Sequence, residues 1–198
     1  MASLGESARF LFHFIRHPVA TGAVVPSSPH LADRMVEDMG LGEARTVVEI
    51  GPGTGAMTGA ILREARASAA VLAIELNAAF AEELASKFPR VAVVNDSAEN
   101  LRRHLESRGR ASADAVVSSL PWAGFPQELQ DRLLGAILES LRPGGRFSTF
   151  AYIHAAWLPP ARRFRRRLEA HFGAVDTSPV VWRNLPPAFV YRCRKKER

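Results

Sequence analysis

A chain of 198 residues is long enough to bury one substantial core and too short for two large ones, so a single compact domain is expected. Its 47% hydrophobic and 23% charged residues exclude a disordered or fibrous chain. The net charge of +6 rests mostly on Arg, whose planar guanidinium suits anionic partners, either nucleic-acid phosphates or lipid headgroups. Cys193 is the only cysteine, which excludes an intrachain disulfide and suits a cytoplasmic protein.

In chain order, the first distinctive stretch is RFLFHFIRHP, residues 9–18. His13 and Arg16 interrupt its apolar run and no small-residue cleavage site follows, which argues against a signal peptide. Nothing reaches the roughly 18 to 20 apolar residues that a membrane span requires. On a helix, Phe10, Leu11, Phe14 and Ile15 share a face with Phe12 at its edge, and Arg9, His13, Arg16 and His17 lie opposite. Such a helix either packs on the domain or lies in a membrane interface against anionic lipid; membrane contact through Arg9, Phe10, Phe14 and Arg16 is the expectation. The Pro26, Ser27, Ser28 stretch opens the next helix, with Ser28 or Ser27 as N-cap.

From Arg45 onward, short β-branched runs alternate with helix-like stretches. TVVEI (46–50), AVLAIE (70–75), VAVVN (91–95), DAVVSS (114–119) and GRFSTFAY (145–152) read as strands. This rhythm predicts an α/β doubly wound sheet with mostly parallel strands. After a helix over PPARRFRRRLEAHF, two consecutive runs, AVDTSPVVW and PPAFVYRCR, predict an antiparallel pair that completes the sheet.

The first strand runs into GPGTG. Gly51, Gly53 and Gly55 allow a tight turn and close approach of the backbone to a ligand, beside the free N–H groups of the next helix. Glu75 closes the second strand, where an acid in such folds accepts hydrogen bonds from both hydroxyls of a ribose. The spacing is GxGxG rather than the GxGxxG of dinucleotide folds.

EIGPGTG, the strand-end Glu75, NDSA (95–98) and SSLPW (118–122) together resemble the Rossmann-like class I S-adenosylmethionine-dependent methyltransferases, from about Arg45 to the end of the chain. The resemblance implies a seven-stranded, mostly parallel sheet with an antiparallel final strand. It implies S-adenosylmethionine as cofactor and S-adenosylhomocysteine as product. Glu49 and the loop Gly51, Pro52, Gly53, Thr54 and Gly55 would hold the methionine part, Glu75 and Leu76 the ribose, and Asp96, Ser97 and Ala98 the adenine. Ser119 would border the same site.

Enzymes of this class that methylate an exocyclic adenine nitrogen carry Asn where this chain has Ser119, and a short hydroxyl does not reproduce an amide's donor and acceptor pair. Ser119 and the Leu120 backbone are candidates to accept amine protons. Trp122 offers an aromatic face to a base or a cationic amine, the alternative being that it packs at the strand end. Tyr152 and His154, just past the fifth strand, are candidates to accept or relay a proton, although a surface role for His154 stands equally. Further on, Trp157, Leu158 and Phe164 accompany Arg162, Arg163, Arg165, Arg166 and Arg167, which cannot all share one helix face and would serve lipid or RNA phosphates equally.

Taken whole, FIRHPVATGAVVPSSPHLADRMV and VWRNLPPAFVYRCRK resemble the bacterial phospholipid N-methyltransferases, whose core is related to the rRNA adenine dimethylases. That resemblance implies stepwise methylation of phosphatidylethanolamine towards phosphatidylcholine at an anionic membrane surface. The protein would then be cytoplasmic and peripheral on the inner face of the cell membrane, with no nucleic acid and no obligate protein partner. Residues 1–40 would form the amphipathic and lid helices packed on a methyltransferase domain of residues 41–198. Trp157, Arg183 and Asn184 become candidates for lipid contact, and the serine-capped helix a candidate lid over the cofactor. The RNA alternative is disfavoured by Ser119 and by a sequence that ends after the last strand, where RNA dimethylases usually add a helical domain.

Overall fold

The computed structural model describes residues 27–197. Seven strands form one sheet in the order β3-β2-β1-β4-β5-β7-β6. They are β1 (Thr46–Ile50), β2 (Ala70–Glu75), β3 (Val91–Asn95), β4 (Ala113–Ser118), β5 (Leu141–Tyr152), β6 (Ala174–Thr177) and β7 (Ala188–Arg194). The first five run parallel, and β7 lies antiparallel between β5 and β6. Both the doubly wound sheet and its antiparallel end agree with the sequence reading. The reversal of strand order falls between β1 and β4, where open α/β sheets leave a crevice at their carboxyl edge.

β1 and β2 are almost wholly buried because helices cover both faces, which is why TVVEI and AVLAIE read as continuous apolar runs rather than alternating ones. The helices are α1 (Pro29–Val36), α2 (Ala56–Glu64), α3 (Ala78–Lys87), α4 (Leu101–Glu106), α5 (Gln127–Ser140) and α6 (Pro159–His171). One core lies between the sheet and α4, α5 and α6, around Leu101, Leu133, Phe147 and Phe164. A second lies on the opposite face, where Leu31 and Met35 of α1 meet Met57 and Ile61 of α2.

Ser28 is the N-cap of α1, its hydroxyl accepting from the Leu31 amide. The helix is packed on the core. Leu31, Ala32, Met35 and Val36 are buried, and Ser148 of β5 donates its hydroxyl to the Met35 carbonyl at 2.8 Å. Arg192 of β7 ties down the other end through Glu37 and Asp38. The buried side of α1 is covered by α2 together with β5 and β7. Among the described residues no helix is long and apolar enough to cross a membrane.

Candidate functional site

The carboxyl ends of β1, β2 and β4 are laced together where the strands stop. The Gly51 amide donates to the Ile74 carbonyl and the Ser119 amide to the Ile50 carbonyl, each at 3.0 Å. The three loop glycines all have positive φ, but they do different things. A Cβ on Gly51 would lie 2.8 Å from Leu120, and one on Gly55 would lie 2.5 Å from Phe88. Those two positions are closed by protein. A Cβ on Gly53 would meet nothing within 4 Å, so this turn presents bare backbone to open space in front of the α2 N-terminus.

Two carboxylates stand behind the loop. Glu75, 2% exposed, accepts from the Gly53 amide at 3.0 Å and from the Asn77 amide at 2.9 Å, which leaves further lone pairs on both oxygens. Glu49 is fully buried; its Oε2 accepts the Thr58 hydroxyl at 2.6 Å, while Oε1 has no partner. Burial, opposed by the Thr58 hydrogen bond and reinforced by the charge of Glu75, pushes the Glu49 carboxyl from 4.5 up to about 8. A buried acid with one unsatisfied oxygen beside bare backbone is suited to a cationic group of a ligand.

Beyond β4 and β5 a cavity of about 470 Å³ opens at the same edge, lined mainly by apolar side chains including Leu158, Phe164 and Tyr191. Ser119 and Tyr152 stand in its wall, and the Ser119 hydroxyl is buried without a partner. Tyr152 stacks on His154 at 5.7 Å between ring centres. Burial raises the Tyr152 phenol above its ordinary value, so at neutral pH it offers an O–H and not a phenolate. As a neutral phenol Tyr152 suits the relay of a proton rather than its uptake. A larger, open groove of about 810 Å³ lies beside α1, and none of its lining residues comes from the loops after β1, β2 or β4.

The chain matches the methyltransferase-domain family over residues 47–145. It is 37% identical to the ornithine lipid N-methyltransferase of Singulisphaera acidiphila over 93% of this chain and 94% of that protein. The chain belongs to the S-adenosylmethionine-dependent methyltransferases. Among solved structures, 1,6-didemethyltoxoflavin N1-methyltransferase of Burkholderia thailandensis, determined with S-adenosylhomocysteine, superposes with a TM-score of 0.70 at 21% identity over 99% of this chain and 92% of that one. Ribosomal RNA small subunit methyltransferase A of a Synechococcus strain is 34% identical over 53% of this chain and 37% of its own length.

The site of this methyltransferase fits its cofactor on its own geometry. S-adenosylmethionine supplies a methyl group activated by a sulfonium centre and carries an ammonium and a ribose diol. Glu49 and the open backbone at Gly53 would hold the methionine end, and the spare lone pairs of Glu75 the ribose. Pro52 is buried and Thr54 is exposed with its carbonyl held by Lys87, so both shape the loop. Leu76 packs partly buried against the core.

Four residues singled out in the sequence turn out to be engaged elsewhere. Asp96 accepts from the Ser97 amide, Asn100, Arg103 and His104 at 2.7 to 3.1 Å. Burial alone would raise its pKa, but hydrogen bonds from His104, the Ser97 amide and Asn100 hold the carboxyl below its usual range. Its lone pairs thus organise the start of α4; the neighbouring Ser97 caps a short turn and Ala98 is buried. Trp122 is 2% exposed, stacks on Phe164 with ring centres 5.1 Å apart, and donates its indole N–H to the Ser118 hydroxyl at 3.1 Å. Its ring belongs to the core and is not free to stack on a substrate. Leu120 is buried over Gly51, and its carbonyl already accepts from the Trp122 amide.

Asn184 is likewise no lipid contact. It is 4% exposed, accepts the Ser28 amide at 2.9 Å and donates to the Pro186 carbonyl at 2.7 Å, clasping α1 to the loop before β7. Arg183 beside it is exposed and has no ion-pair partner among the described residues. The arginine run of α6 divides: Arg167 pins α5 through Asp131 and Arg165 pairs with Glu169, whereas Arg162, Arg163 and Arg166 face solvent. Arg9, Phe10, Phe14 and Arg16 lie outside the described residues.

Sequence reasoning passed over Tyr191 and Ser118. Tyr191 could have been found from its alternation with Phe189 on β7. The Ser118 hydroxyl anchors Trp122 four residues on, a pairing with no periodic signal.

Proposed function

We propose that this methyltransferase N-methylates the amine of an ethanolamine phospholipid, taking phosphatidylethanolamine through its mono- and dimethyl forms towards phosphatidylcholine at the inner face of the cell membrane. The observation that carries the reading is the apolar cavity that places the unpartnered Ser119 hydroxyl at the carboxyl edge of β4, next to the loop after β1. A cavity with such walls accepts the greasy portion of an acceptor and strips water from its amine, which favours the neutral, nucleophilic form. In the first two methylations Ser119 accepts one amine N–H and so orients the nitrogen, whereas the neutral dimethyl amine has no N–H and is positioned by the cavity walls alone. The proton lost in the first two steps passes to water or to the exposed His154, with the neutral phenol of Tyr152 beside it; the third step releases none. The similarity to an ornithine lipid N-methyltransferase supports a lipid amine in general, and makes ornithine lipid the second reading of the acceptor. The RNA reading has the weaker support: the ribosomal relative matches over about half of this chain, and Ser119 stands in place of the adenine-binding Asn.

The test is transfer of labelled methyl groups to three acceptors offered in parallel in detergent micelles or buffer: phosphatidylethanolamine, ornithine lipid and unmodified ribosomal RNA. Label in phosphatidylethanolamine, with mono- and dimethyl products resolved, is the expected result. Label in ornithine lipid alone would move the substrate to that lipid class, and label in RNA alone would overturn the lipid reading.

A further inference from the structure

We infer that the rim of the carboxyl edge, formed by the loop leaving β5 and the loop entering β7, docks the enzyme onto an anionic bilayer; the inference rests on the lipid reading above. Among the described residues the exposed large hydrophobic side chains are Trp157 at 68%, Leu158 at 44%, Trp182 at 71% and Leu185 at 71% exposure. All four sit on these two loops. The pairing of Tyr152 with Ala188, and the hydrogen bond from the Ile153 amide to the Pro187 carbonyl at 3.0 Å, make the loops neighbours. They stand at the end of the sheet where β1 and β4 also terminate, and Leu158 belongs to the wall of the apolar cavity. Scattered exposed apolar residues are ordinary, but concentration of the whole set on two neighbouring loops at one edge of the sheet is not.

The charge around the rim selects its partner. Arg162 and Arg166 lie four apart on one face of α6, beside Trp157 in a groove that also reaches Tyr191, and neither has an ion-pair partner among the described residues. Arg183 adjoins Trp182 on the other loop. Indole rings settle at the headgroup level of a bilayer, leucines enter the acyl region, and unpaired arginines attract anionic lipid. Nucleic acid would use the arginines and the two indoles but gains nothing from Leu158 or Leu185. A bilayer uses all of them, and it brings the acceptor amine to the cavity without taking the lipid fully out of the membrane.

The chain contains three tryptophans, Trp122 in the core and the two on the rim, and residues 1–26 contain none. Tryptophan emission therefore reports the rim and not the opening stretch. With vesicles of phosphatidylcholine and phosphatidylglycerol, the full-length protein is expected to show a blue shift, and quenching when the acyl chains carry bromine. Trp157→Phe and Trp182→Phe should each remove about half of that quenching. Trp157→Ser with Trp182→Ser should weaken vesicle binding roughly tenfold or more with cofactor affinity unchanged. Arg162→Gln with Arg166→Gln should weaken binding to anionic vesicles more than to neutral ones, the difference shrinking at high salt. Vesicle binding with unaltered tryptophan emission would assign docking to another part of the chain and overturn the inference, as would quenching by ribosomal RNA in the absence of any effect of vesicles. Methyl transfer to phosphatidylethanolamine in micelles with a silent rim overturns this inference alone; a responsive rim without transfer overturns only the substrate.

Discussion

Replacing Glu49 by Gln tests the electrostatic core of the cofactor site. The isosteric amide mimics the protonated acid, so it leaves the hydrogen bond to Thr58 geometrically possible and removes the ability to ionise. With a folded-state value of about 8, the ionised fraction of Glu49 rises from about one per cent at pH 6 to about half at pH 8. If the cofactor's ammonium requires the carboxylate, affinity should climb about 50-fold over that interval. The cofactor's own titration is common to both proteins, so the quantity to plot is the wild-type to E49Q affinity ratio, measured by calorimetry in buffers of different ionisation heat. That ratio should rise with pH, and binding near pH 7 should release close to one proton. Stability of the cofactor-free protein should move the opposite way. An acid whose pKa is raised by folding contributes most below its unfolded value of 4.5, and the contribution is lost as pH rises through about 8. Urea unfolding should therefore show E49Q gaining on wild type by about 3 to 5 kcal/mol between pH 5 and pH 9. An affinity ratio that does not change with pH would refute the assignment of Glu49 to the cofactor's cation.

The glycines of the loop should separate by phenotype. Gly55→Ala drives a methyl into Phe88 and Leu84 and should cost roughly 2 kcal/mol or more in urea unfolding, whereas Gly53→Ala should lose only about 1 kcal/mol to its positive φ and yet bind cofactor far more weakly. Equal loss of stability in both would sink the distinction. Ser119→Ala should lower kcat/KM for the lipid amine about tenfold while leaving the melting temperature unchanged or slightly raised, because it removes an unsatisfied buried hydroxyl. A fall in melting temperature with unchanged kinetics would assign Ser119 to packing.

Much of this protein is determined by short-range pattern. TVVEI, AVLAIE and VAVVN became β1, β2 and β3 at those boundaries, because β-branched runs flanked by turn residues carry their own conformational preference. The loop glycines and Glu75 were legible for the same reason: a tight strand-to-helix turn and an acid at the end of the next strand are local features whose spacing is preserved by the fold. What a side chain does once it arrives depends on partners distant in the chain. Trp122 meets Phe164 of α6, and Asn184 meets the Ser28 amide 156 residues away. An aromatic ring or an amide has the same local pattern whether it faces a ligand or a core. Only the tertiary packing, by deciding which lone pairs and ring faces remain unpaired, left Ser119, Glu49 and Gly53 for the ligand and turned Trp157 and Trp182 outward.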